Sequence, residues 1–547
     1  METPTDSGAT HAEHHYRPYT PSPWGDFFLT HQPCTPAELL SMKEKAQEKG
    51  EEVRGILLAT AATPDNLVGK LDLVDTLQRL GVDYHYKKEI DELLRAVYDD
   101  KDGGSDDLYA TSLRFYLLRK HGYTVSSDVF LKFRDEQGNI TSDDVSCLMM
   151  LYDAAHLRTH GEEILDSIIT FTKSHLQAVR ETGLEPELAE EVRFTLETTR
   201  FRRVERVEAR RYISVYEKKA TRSEAILEFA KLDYNILQAL YCGELKELSI
   251  WWKDFKSRTD LRFARDRLVE MYFWKMGVFY EPYYSYSRIM LTKLILFVSL
   301  FDDLYDNYST TEESQIFTTA MERWDKKAVE KFPVYLRDLY KNILDATEEI
   351  VKELKLQNNK HAELVKKMVI DSAKCYHAEV KWRDENYVPT NVDEHLQISV
   401  RSSACMHITS LAFISLGDVT TKEDLEWAFT YPKIIRGVCI VGRIGNDIMS
   451  HEREQASEHV ASTVQTYMKQ YGVTVEEANR KLRVIIEKAW MDIVQECLDQ
   501  KHPMALLEKT VDIGRTMDFM YKHEDAYTLS FSLKNIITSM YVKFVSI

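Results

Sequence analysis

The residues with the clearest chemical potential are acids placed where a core should be. In LFVSLFDDLYDNYST (296–310) an apolar run passes directly into Asp302, Asp303 and Asp306. On a helix, residues four apart share a face about 6 Å apart along the axis, so Asp302 and Asp306 point the same way with Asp303 beside them. Leu294 and Val298 continue that face backwards. The carboxylates close a stripe that would otherwise be buried, which is costly unless their charge is compensated. A divalent cation is the natural compensator, and oxygen-only donors select Mg2+ or Mn2+ over zinc.

A second set lies far along the chain, in IIRGVCIVGRIGNDIMSHEREQ (434–455). Asn446, Ser450 and Glu454 recur at i, i+4 and i+8, so an amide oxygen, a hydroxyl and a carboxylate line up along two turns, with Val438 and Gly442 upstream on the same face. All three are hard oxygen donors. Either motif alone is also what an exposed helix end in an acidic chain would look like. Together, each closing an apolar stripe, they point to one metal site built from two helices.

The elements that must carry these motifs are helices. The chain has 547 residues, 44% of them hydrophobic, which is enough for more than one buried core. Gly and Pro are scarce at 20 and 13, so the composition leans to helix with almost no sheet. Amphipathic patterning runs from about residue 35 onward, as in SDDVSCLMMLYDAAHL (142–157). The basic stretch RRVERVEARRYISVYEKKATRS (202–223) is where one helical domain hands over to another. The expected division is an extended arm over 1–35, a helical domain over 36–222 and a second over 223–547.

The net charge of −17 argues against nucleic acid as a partner but not against a small anion held through metal ions. Seven cysteines without a CxxC pair suit a reducing compartment. The opening METPTDSGATHAEHH holds neither an apolar signal core nor an arginine-rich stretch, so cytoplasmic residence is expected. The most apolar run, 291–301, is too short to span a bilayer and contains Lys293. The acidic segment YDDKDGGSDDLYA (98–110) lacks the spacing of a calcium loop and is expected to be solvated, and His11, His14 and His15 are expected to be incidental.

With these residues in view, the chain resembles the plant class I terpene synthases of the sesquiterpene synthase type over nearly its whole length. DDLYD (302–306) is similar to that family's aspartate-rich motif, and NDIMSHERE (446–454) matches its (N/D)D-x-x-(S/T)-x-x-x-E motif. RDRLVEMYFW (265–274) and RPYTPSPW (17–24) add to the likeness. The resemblance implies an all-α fold, with an inactive N-terminal α-barrel and a C-terminal class I terpenoid synthase domain. It implies three Mg2+ ions, replaceable by Mn2+: two at Asp302 and Asp306, with Asp303 a further candidate ligand, and one at Asn446, Ser450 and Glu454.

Arg265, Arg267 and Arg443 would grip the departing diphosphate as forked donors. By the same resemblance, Trp274, Tyr521 and Tyr527, with Asp525 between the tyrosines, would face a carbocation. In SSACMHITS (402–410) the helix is expected to break at Ser402 and Ser403, with Cys405 and His407 departing from the family's small hydroxyl residues and His407 a packing residue. By family position, residues 458–472 would form a closing segment.

The implied activity is that of a carbon–oxygen lyase acting on farnesyl diphosphate, with geranyl diphosphate as the alternative substrate and a monomer as the expected state. Arg17–Pro18, in place of paired arginines, favours the C15 substrate. A chain-elongating prenyltransferase would carry a second aspartate-rich motif instead of the Asn446 triad. A non-catalytic helical scaffold would have no reason to keep oxygen donors on a buried face.

Overall fold

A computed structural model of the chain describes residues 19–100, 105–140, 142–181, 183–385, 387–455 and 460–547. The histidines His11, His14 and His15, the Arg17–Pro18 pair, the centre of the acidic 98–110 segment and the start of the 458–472 segment lie outside the described residues. Among the described residues every regular element is helical and none is a strand. Among these residues no helix is long and apolar enough to cross a membrane, and the seven cysteines are free thiols.

Local chemistry sets the helix starts. Thr35 caps Pro36–Ala62 reciprocally: its hydroxyl accepts from Glu38 N at 3.3 Å, and the Glu38 carboxylate accepts from Thr35 N at 2.7 Å. Ser223 caps the long helix Glu224–Ser257, which follows Glu205–Tyr216 after a short turn. Pro36–Ala62 packs along Glu224–Ser257, and one apolar core runs from Trp24 to Val545.

Two helices carry the motifs. The aspartate helix, Ser285–Asp303, packs against Leu268–Val278, Leu364–Asp384 and Cys405–Ser415. The triad helix, Lys433–Glu454, packs against Val475–Asp499 and Met504–Met520. Leu294 and Val298 on the first and Val438 on the second are buried, so each oxygen motif does close an apolar stripe. The helix Val392–Ser402 breaks before Cys405–Ser415, with Ala404 between them at φ 62°, a left-handed conformation that costs a non-glycine residue about 1 kcal/mol or more. Ser402 and Ser403 turn their hydroxyls back onto the preceding carbonyls of Ser399 (3.1 Å) and Val400 (2.7 Å).

Candidate active site

The three aspartates of the first motif have different surroundings. The aspartate helix widens at its end into a π-turn, Leu304–Tyr308, closed by Ser309 N donating to Leu304 O at 2.8 Å. Asp302 and Asp306 reach a cavity of about 940 Å³. Asp303 does not. It is fully buried, accepts from the Arg265 backbone N–H at 2.8 Å through Oδ2, and lies 2.8 Å from Arg265 Nε through Oδ1. Asp303 thus pairs with Arg265 behind the cavity wall, while Asp302, on the same guanidinium, and Asp306 line the cavity.

On the triad helix, Asn446 and Glu454 border the same cavity. Ser450 is fully buried between them, and its hydroxyl has no hydrogen-bond partner among the described residues. Gly442 lets this helix come close to the broken one, because a Cβ there would lie 3.2 Å from Cys405 Sγ. Arg443 enters the cavity wall, donating to Ser399 O and Ser402 Oγ, each at 3.1 Å.

The two motifs meet electrostatically. Burial pushes the Asp306 carboxyl well above its ordinary range; the charges of Asp302, Glu379 and Glu454 add to the shift, and Arg443 opposes it. Glu379, from Leu364–Asp384, is a cavity residue outside both motifs, held by the Ser402 hydroxyl at 2.5 Å. Asp306 Oδ1 is also buried, with no hydrogen-bond partner among the described residues. Clustered carboxylates with an orphan carboxylate oxygen and an orphan hydroxyl are the donor set a hard divalent cation would satisfy, so the residues present fit such an ion.

The remaining expected residues divide in the same way. Arg265 lines the cavity, pairs with Asp302 and donates through Nη1 to Thr528 Oγ1 at 3.0 Å. Arg267 does not reach the cavity. It is fully buried and donates to the backbone carbonyls of Asp266, Tyr527, Thr528 and Thr20, all at 2.9 Å, which straps the C-terminal loop to the N-terminal arm. Trp274, Tyr521 and Tyr527 form one wall, with Trp274 centred 6.4 Å from Tyr521 and 5.7 Å from Tyr527. The Arg265 guanidinium lies 4.4 Å above the Tyr527 ring. Met271, Ile295, Val298, Ile408 and Met517 complete the apolar depth.

Sequence reasoning missed Tyr19 as well as Glu379. The arm lays Tyr19 over the rim, where Asn307 Nδ2 donates to its hydroxyl at 3.2 Å and Arg265 lies 5.2 Å from its ring. His407 stands outside the cavity lining, 2.9 Å from Asp371 through Nε2.

The described residues thus form an all-helical protein with an apolar, aromatic cavity rimmed by carboxylates and guanidinium groups. Residues 253–492 match the family described as "Terpene synthase family, metal binding domain", and residues 23–196 match "Terpene synthase, N-terminal domain". The chain is 56% identical to an (E)-beta-caryophyllene synthase of Zea mays, covering 98% of this chain and 96% of that one. It is 44% identical to an (E)-beta-farnesene synthase of Zea diploperennis over 97% and 99% of the two chains. The isoprene synthase of grey poplar, solved in complex with three Mg2+ ions and dimethylallyl-S-thiolodiphosphate, superposes with a TM-score of 0.85 at 30% identity, over 96% of this chain and 99% of its own. The chain belongs to the terpene synthase family, lyases that act on prenyl diphosphates, and has that family's class I fold.

Proposed function

We propose that the protein is a Mg2+-dependent sesquiterpene synthase that ionises farnesyl diphosphate, converts the allylic cation to sesquiterpene product and releases diphosphate. The observation that carries this reading is the meeting of Asp302 and Asp306 with Asn446 and Glu454 at the rim of a single cavity whose depth is apolar and aromatic. A substrate with a charged head and a hydrocarbon tail has the same division of polarity. The named activities of the caryophyllene and farnesene synthases support the C15 chain length.

In this reading Asp302 and Asp306 hold two Mg2+ ions and Asn446, Ser450 and Glu454 hold the third, with Mn2+ as a substitute. The chemistry those ions supply when bound is neutralisation of the charge that grows on diphosphate as the allylic C–O bond breaks. Arg443 and Arg265 add forked donors to the same leaving group. Trp274, Tyr521 and Tyr527 offer ring faces to the cation and help keep water from it. Asp525 fixes the loop that carries Tyr527, its Oδ1 accepting from Thr528 N at 3.0 Å. The division into an arm to residue 35, an inactive helical domain to 222 and a catalytic domain from 223, a monomeric state and cytoplasmic residence belong to the same proposal.

The test is incubation of purified protein and Mg2+ with geranyl, farnesyl and geranylgeranyl diphosphates, with volatile products read by gas chromatography and mass spectrometry. C15 products from farnesyl diphosphate are expected. Products from geranyl diphosphate alone would shift the reading to a monoterpene synthase, and no hydrocarbon or alcohol from any substrate would end it.

A further inference from the structure

Arg453 immediately precedes Glu454 on the triad helix, so its side chain leaves the helix about 100° away from the triad face. It crosses to the C-terminal loop, where Nη2 donates to Asp525 Oδ2 at 2.6 Å while remaining 3.7 Å from Glu454 Oε1. Asp525 is 2% exposed and spends its other oxygen on Thr528 N, so Arg453 supplies the full charge that this buried carboxylate requires. Thr528 Oγ1 in turn accepts from Arg265 Nη1 at 3.0 Å, and Arg265 pairs with Asp302.

The contacts form an unbroken belt, Asp302–Arg265–Thr528–Asp525–Arg453–Glu454, from the first motif to the last residue of the second. Through Asp525 and Thr528 the belt includes the loop that carries Tyr527, whose ring lies 5.7 Å from that of Trp274. Arg453 and Asp525 both border the cavity.

We propose that Arg453 is a positioning residue for the ionisation chemistry: by holding Asp525 it sets the 521–529 loop against the end of the triad helix, and with it the placement of Tyr527 and Arg265. The inference rests on the terpene synthase reading of the same cavity. Without the belt, the aromatic wall shifts and water reaches the cation. A water lone pair then forms a C–O bond to the cationic carbon, the resulting oxonium loses a proton to solvent, and an alcohol leaves in place of a hydrocarbon.

The experiment uses the full chain as wild type, Arg453→Ala, Arg453→Lys, Asp525→Asn and the Arg453→Ala/Asp525→Asn double variant. Steady-state kinetics with farnesyl diphosphate, the alcohol-to-hydrocarbon ratio and hydrogen exchange of the substrate-free protein are measured. Arg453→Ala should lower kcat roughly tenfold to hundredfold with KM little changed, because misplacement and not lost binding is the defect. Its alcohol fraction should rise, and Arg453→Lys should recover much of the loss because an ammonium can remake a single contact. The double variant should be no worse than the worse single one.

Amides of 521–529 and of 260–267 should both exchange faster in Arg453→Ala, since the belt joins them. Wild-type kcat, product ratio and exchange in Arg453→Ala, or additive effects in the double variant, would overturn the proposal. If Arg453→Ala does not fold, Arg453→Lys and Asp525→Asn decide it, and wild-type behaviour in both overturns it. A wild-type protein that turns over no prenyl diphosphate would instead sink the terpene synthase reading, and exchange would still report on the belt.

Discussion

Arg265 holds Asp303 twice, from its backbone N–H and from Nε, each at 2.8 Å and out of reach of solvent, while the adjacent Asp302 takes the same guanidinium at the cavity rim. Two neighbouring aspartates therefore differ in what their loss should do. Asp303→Asn removes the buried one of the two carboxylates that Arg265 pairs with and should cost about 1–3 kcal/mol of stability. Asp302→Asn should change stability by no more than about 1 kcal/mol, since the pair is partly exposed, but lower kcat by at least about a hundredfold. Denaturant unfolding and turnover of both variants check this; the same phenotype in both would contradict the division.

The unpartnered Ser450 hydroxyl makes an unusual pairing of effects. A buried hydroxyl without a hydrogen bond is a penalty to the metal-free fold, so Ser450→Ala should leave stability unchanged or raise it by about 1 kcal/mol. The same change removes an oxygen donor, and the Mg2+ concentration for half-maximal activity should rise about tenfold. Thermal unfolding without Mg2+ and a Mg2+ titration of activity read the two effects; a destabilised variant with unchanged Mg2+ dependence would mean the hydroxyl is structural.

Glu270 gives the fold a pH dependence of stated sign. It is fully buried, Ser22 Oγ donates to its Oε1 at 3.2 Å, its Oε2 has no hydrogen-bond partner among the described residues, and burial pushes its carboxyl up to about 7. Below the ordinary carboxyl range both folded and unfolded states are protonated and the contribution is fully present. As pH rises through that range toward 7, the unfolded chain ionises first and stability falls, by up to about 3 kcal/mol. Glu270→Gln should remove that loss, so its advantage over wild type should grow between pH 5 and pH 8. Parallel stability profiles for the two proteins would refute the assignment.

Gly442 tests the close approach of the triad helix to the broken one. Alanine is the better helix former by about 1 kcal/mol, but its Cβ would meet Cys405 Sγ at 3.2 Å and Met517 Cγ at 3.4 Å. Gly442→Ala should destabilise wild type by about 1–2 kcal/mol and be neutral or stabilising in a Cys405→Ala background, where the sulfur is gone. Equal effects in both backgrounds would show that the contact is not the constraint.

How much could be read from the chain follows from which interactions are local. The all-helical fold and the acidic ends of two apolar stripes were legible because they depend on spacing along one helix, while the break at Ser402 and Ser403 was expected from the family resemblance and suits hydroxyls that compete for backbone hydrogen bonds. The separation of Asp303 from Asp302 and Asp306 was not, because it depends on Arg265 from another segment. Glu379 sits in YHAEVKW without a motif and becomes notable only when Leu364–Asp384 brings it beside Asp306. Arg267 has the same side chain and local sequence context as Arg265, yet it is absorbed by four carbonyls of the arm, its own segment and the C-terminal loop. Tyr19 was out of reach for the same reason: nothing in RPYTPSPW tells which surface the arm covers.

If the two motifs act together on one leaving group, release of inorganic diphosphate from farnesyl diphosphate must need both. It should be measured with Mg2+ and with excess chelator, for wild type and for Asp306→Asn and Glu454→Gln, one variant from each helix. Wild type should release diphosphate in a Mg2+-dependent way and none with chelator, and each variant should lose at least about a hundredfold. Release at the wild-type rate by either variant, or release that persists in chelator, would contradict that joint action.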